Sequence, residues 1–114
     1  MRVEVFYIDG CPNRQTAVER VTEAIRELGI AGEVLETAVN DSEAASALRF
    51  LGSPTIQING VDAEPAARTS DQFGIMCRTY QDGPRREGVP SKKIIREALL
   101  EFRNPPEGVA PEMR

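Results

Sequence analysis

Cys11 and Cys77 are the two residues in this 114-residue chain that could act as soft nucleophiles or redox centres. Histidine is absent, so a Cys-His or Ser-His-Asp unit is excluded, and a zinc site would have two thiolates plus carboxylates, a poor match to zinc's usual ligands. No metal and no cofactor is therefore expected, and any chemistry at Cys11 must be activated by position and charge. Cys11 lies in the run Asp9-Gly10-Cys11-Pro12-Asn13-Arg14, between an apolar stretch, Val3 to Ile8, and an amphipathic one. A thiol at a helix N-terminus faces unpaired backbone N–H groups and the positive end of the helix dipole, both of which favour thiolate. The dipole contributes roughly 0.3–1 kcal/mol, so a further cation is wanted. Arg14 is the nearest, and it is also placed to orient an anionic substrate, while the negative charge of Asp9 opposes ionisation of the sulfur. The plainer alternatives are an inert, packed Cys11 and a solvated Arg14.

The elements that must position this turn follow from periodicity. Val3 to Ile8 reads as a strand. Val18, Val21, Ile25 and Leu28 form the apolar stripe of a helix from Pro12 to Leu28, which Gly29 stops. Glu33 to Val39 has the pattern of a second strand, and Asn40 to Glu43 supplies N-cap residues for a helix through Phe50, ended by Gly52. Ser53-Pro54 leads into the strand Thr55 to Ile58, and Asn59-Gly60 is a strong hairpin signal that returns the chain through Val61 to Ala63. Ser91 caps a last helix with Ile94, Ile95, Ala98, Leu99 and Phe102 on its core face, stopped by Asn104-Pro105-Pro106; Glu107 to Arg114 reads as a flexible tail. This order asks for an α/β fold: a central mixed sheet of about four strands, built as βαβ, then helix, hairpin and helix, with helices on both faces.

Composition bounds the function. The chain is one domain long and buries roughly two-thirds of its unfolded surface without a staple. At 28% charged and 40% hydrophobic, with a net charge of −4, it matches an ordinary soluble protein, and nucleic acid and anionic membrane are not expected partners. Met1 to Glu4 runs straight into a strand, and no apolar run approaches the ~20 residues of a membrane span, so a cytoplasmic location is expected. Two cysteines are too few for a disulfide scaffold, which leaves redox, metal or thiol chemistry.

Residues 64–89 are harder to assign. They surround the apolar-aromatic patch Phe73 to Tyr80 with Pro65, Gly74, Gly83, Pro84 and Gly88. A structureless connection that long is uncommon, so Ile75 to Tyr80 is predicted to be an extra strand or a packed flap carrying Cys77. Tyr7, Phe73 and Tyr80 read as core or rim aromatics.

Three features coincide with the thioredoxin-like superfamily: Cys11-Pro12-Asn13-Arg14 at the first strand-to-helix junction, Gly52-Ser53-Pro54-Thr55 opening the third strand, and the element order over residues 2–102. The combination, with the late Cys77-Arg78-Thr79-Tyr80, resembles small bacterial proteins described as thioredoxin family, some labelled alkylmercury-lyase-like. The resemblance implies a thioredoxin-like fold, an active-site turn at Cys11, and a cis Ser53-Pro54 bond against it. Such a bond would present the Ser53 backbone N–H and C=O to an extended thiol substrate, with Ser53, Pro54 and Thr55 as substrate-binding residues. Arg14 stands where Cys-x-x-Cys has its second thiol, so dithiol exchange within one turn is ruled out.

The leading expectation is a thiol-dependent redox protein: Cys11 attacks a disulfide, peroxide or electrophile, Arg14 and the helix N-terminus stabilise the thiolate, and Cys77 resolves the adduct. A second reading is an alkylmercury-lyase-like enzyme in which both thiols hold the metal of an organomercurial substrate and Asp9 or Asp71 donates a proton. A third is a non-catalytic binding module. The partner expected is a small-molecule or protein thiol or disulfide, and a homodimer is among the assemblies allowed.

Overall fold

The computed structural model describes residues 1–103; the expected helix stop at 104–106 and the tail fall outside them. Four strands, β1 (Arg2–Tyr7), β2 (Glu33–Ala38), β3 (Thr55–Ile58) and β4 (Val61–Asp62), form a mixed sheet in the order β2-β1-β3-β4. β1 runs parallel to β2, with Val5 opposite Glu36, and antiparallel to β3, with Val5 opposite Ile56. β3 and β4 are the hairpin that Asn59-Gly60 signalled, with both turn residues at positive φ, 52° and 86°.

Side chains alternate across a strand, so β1 and β3 each serve two different faces. Val3, Val5, Ile56 and Ile58 join Ala17, Val21 and Ala24 of α1 (Arg14–Leu28) and Ile95, Ala98 and Leu99 of α3 (Lys92–Arg103) in an aliphatic core. Small residues sit deepest on α1, while Val18, Ile25 and Leu28 pack at its margin. Phe6 points the other way and joins Val39, Ala45 and Phe50 under α2 (Ser42–Leu48). Helices thus cover both faces, as the element order required.

Element ends depart from expectation in two places. α2 stops at Leu48 rather than Phe50, because Arg49 turns left-handed at φ 56° and the Phe50 N–H closes onto Ala45 O at 2.8 Å. Its start is as expected: the Asp41 carboxylate accepts from the Ala44 N–H at 2.8 Å. At the other end of the chain, the Ser91 hydroxyl accepts from the Ile94 N–H at 3.2 Å and so starts α3.

Residues 64–89 are ordered, though not as one added strand. A 3-10 turn (Pro65–Ala67) is followed by an irregular strap, residues 73–79, and then by a separate two-stranded hairpin of β5 (Tyr80–Asp82) and β6 (Arg85–Glu87), closed by Gly83-Pro84. α2 is only seven residues long; the Gln57 side chain reaches its end, donating to Leu48 O at 2.9 Å, and the strap covers the part of the face where Thr55 and Asp62 are buried. Among the described residues, no helix is long and apolar enough to cross a membrane.

Candidate functional site

The β1–α1 turn is built on Ile8. The Cys11 N–H donates to Ile8 O at 3.1 Å, closing a tight turn with Gly10 at φ 79°. The helix begins at Arg14 rather than Pro12: Asn13 is its N-cap, at φ −103° and ψ 1°, and the first bond runs from the Ala17 N–H to Asn13 O. Cys11 therefore lies two residues ahead of the N-cap, half-buried. Arg14 donates from Nε to the Glu36 carboxylate at 2.9 Å and stacks its guanidinium on the Tyr7 ring at 3.7 Å. These two contacts join α1 to the β1–β2 side of the sheet.

Ser53 is tied to the same turn residue. The Ile8 N–H donates to Ser53 Oγ at 3.0 Å, so Ile8 contacts Cys11 through its carbonyl and Ser53 through its amide. Ser53-Pro54 is cis, and residues 52–58 are buried without interruption.

The expected free backbone at Ser53 is not there. The Ser53 N–H donates to Met76 O at 2.8 Å, and Ser53 O accepts from the Arg78 N–H at 3.1 Å. This is a parallel bridge with Cys77 directly opposite Ser53. The approach depends on Gly52, at φ 124°: a Cβ there would stand 2.8 Å from Arg78 Cβ and 3.3 Å from Cys77 O. The strap thus fills the edge that the sequence had assigned to an extended substrate, and it delivers an exposed Cys77 to it. Both cysteines are free thiols.

Beyond Cys77 the strap is held by a buried polar cluster. Arg78 donates to Asp62 from both guanidinium nitrogens, at 2.8 and 2.9 Å, and also to Glu64 at 3.2 Å and Thr55 Oγ1 at 3.1 Å. The Thr55 hydroxyl donates to Gly52 O at 2.6 Å. The Tyr80 hydroxyl donates to Pro54 O, and its ring lies under the Arg78 guanidinium at 4.3 Å. Burial works against the Arg78 charge, yet the bonds it donates to Asp62 and Glu64 prevail and hold its pKa above the ordinary arginine value. Burial pushes the Tyr80 phenol well above its usual range, against the opposing pull of Arg78.

Of the residues expected to bind substrate, Ser53 bonds to Met76 and Arg78, Pro54 to Tyr80, and Thr55 to Arg78. Asp62, Glu64, Arg78 and Tyr80 were not assigned to the site. The signal available for Arg78 was its position inside an apolar-aromatic run, since a guanidinium buried there requires carboxylate partners. Asp9 and Asp71 are both exposed, and Asp71 accepts from the Gln72 side chain next to it. Among the described residues, no group of three or more His, Cys, Asp or Glu side chains could hold a metal ion. A cleft of about 170 Å³, with Arg49, Gln57, Arg68 and Phe73 in its walls, is lined by neither cysteine. Set against family models, curated proteins and solved structures, the chain has no match in any of the three.

Proposed function

We propose that this chain is a thioredoxin-like, thiol-dependent redox protein of the cytoplasm, with Cys11 as attacking thiolate and Cys77 as resolving thiol. One observation carries the reading: Ser53 bonds through its side chain to the residue that closes the Cys11 turn, and through its backbone to both neighbours of Cys77. One buried serine thereby links the turn that carries Cys11 to the segment that carries Cys77. The cis Ser53-Pro54 bond and the sheet order agree with the thioredoxin-like resemblance.

With a disulfide substrate, the Cys11 thiolate attacks one sulfur and expels the other as a thiolate, which takes up a proton. Cys77, deprotonated, then attacks Cys11 Sγ and releases the second substrate thiol. The protein's two thiols become one disulfide as the substrate disulfide becomes two thiols. With a hydroperoxide, Cys11 becomes a sulfenic acid and releases an alcohol or water; Cys77 condenses with it and releases water.

The test is stoichiometric oxidation with hydrogen peroxide or diamide, read by intact mass. The expected product is a monomer lighter by two hydrogens, with no alkylatable thiol, and its formation is lost in Cys11→Ser and in Cys77→Ser. A monomer of unchanged mass that keeps both thiols would sink the reading. The non-catalytic binding module remains the alternative favoured by one observation: Ile75 and Met76, beside Cys77, are 44% and 40% exposed. That alternative expects Cys11 to alkylate no faster than a free cysteine.

A further inference from the structure

The main-chain pairing groups at Ser53 and Pro54 are taken. The Ser53 N–H and C=O go to Met76 and Arg78, Gly52 O accepts from Thr55, and Pro54, which has no N–H, gives its carbonyl to Tyr80. A polypeptide that adds as a strand needs free N–H and C=O groups in register, and here the chain's own residues 76–78 have taken them. The strap is tied at both ends. On one side the Gly74 N–H donates to Phe50 O at 3.2 Å; on the other Arg78 is locked to Asp62, Glu64 and Thr55.

We infer that residues 74–78 are a built-in occupant of the peptide-pairing edge, so that the site accepts small disulfides and hydroperoxides and excludes disulfides carried in extended polypeptide. This rests on the thiol reading above. Cys77 stands opposite Ser53, in the pairing position that an incoming strand would need, and such a chain would have to displace a segment already bonded on both sides. A small molecule has no such requirement. It needs only to bring one sulfur or oxygen to the half-buried Cys11, while the exposed Cys77 waits next to Ser53.

The experiment compares two probes on the wild-type protein in single turnover: bis(2-hydroxyethyl) disulfide, and a short unstructured peptide whose one cysteine is disulfide-bonded to 2-mercaptoethanol. Each reaction oxidises Cys11 and Cys77 to a disulfide and reduces the probe to two thiols, and loss of protein thiol is followed by mass. The expected rate constant is at least about tenfold lower for the peptide, a discrimination within reach of simple exclusion. Asp62→Asn and Arg78→Gln, which loosen the strap, should narrow that ratio to below about threefold by raising the peptide rate.

Matched rates for the two probes on the wild type overturn the inference and leave the thiol reading standing. No reaction with either probe removes the thiol reading, and the inference with it. Amide hydrogen exchange of the wild type gives a second measure that does not depend on the variants folding. Slow exchange is expected at the Ser53 and Arg78 amides, and fast exchange at both overturns the inference.

Discussion

Arg78 and Asp62 meet as a two-pronged ion pair, with both residues buried, and it fastens the Cys77 strap to β4. Fork-to-fork geometry fixes direction as well as distance, so the pair sets where residues 76–78 lie on Ser53.

Removing Arg78 leaves the buried Asp62 carboxylate without a cation, and removing Asp62 leaves Arg78 with Glu64 as its remaining carboxylate. Arg78→Met and Asp62→Asn should each lower unfolding free energy by about 3–5 kcal/mol, measured by urea denaturation. The double variant Arg78→Met/Asp62→Asn should lose much less than the sum. Additive losses would mean that the two side chains are not coupled.

The raised phenol of Tyr80 makes stability depend on alkaline pH. An unfolded tyrosine gives up its proton near pH 10, while the folded one keeps it, so above that point the unfolded state binds fewer protons. The Tyr80 contribution is intact below about pH 10 and declines above it, by up to about 1.4 kcal/mol per pH unit. Tyr80→Phe should be less stable at neutral pH, by about 1–3 kcal/mol for the unsatisfied Pro54 carbonyl, and should show a shallower alkaline decline.

Ser53→Ala removes the acceptor of the Ile8 N–H, a part-buried bond between the Cys11 turn and the segment leading into β3. A loss of about 1–3 kcal/mol is expected on thermal or chemical unfolding. Disulfide formation between Cys11 and Cys77 should also slow, because the turn and the strap no longer share that tether.

Gly52→Ala places a methyl 2.8 Å from Arg78 Cβ at a backbone angle that side chains rarely adopt. It should cost about 1–3 kcal/mol. Exchange protection at the Ser53 amide should fall at the same time. Unchanged protection there would mean that the strap is not pressed against Gly52 in solution.

Much of the sheet was legible in the sequence, because β1, β3 and the Asn59-Gly60 turn carry strong local signals and α1 and α3 have clear apolar stripes. Helix ends were less so: Arg49 adopts a left-handed angle usually left to glycine or asparagine, which no residue-type signal foretold. The strap was out of reach for a different reason. Its bonds to Ser53 use backbone atoms, which every residue has, and its latch joins Arg78 to Asp62 across 16 positions. Gly83-Pro84, a turn dipeptide by residue type, does mark the loop of the β5–β6 hairpin. At the site, the sequence indicated both cysteines and the special place of Ser53-Pro54; the occupancy of Ser53's backbone emerged only from tertiary structure.

The strap sets the terms for any shorter version of this architecture. Excising 64–89 would take the guanidinium away from Asp62 and Thr55, which water could then hydrate, while Gln57 would keep its hold on the end of α2. The same cut would bare the backbone of Ser53 and Pro54, so a trimmed chain would trade a closed edge for an open one.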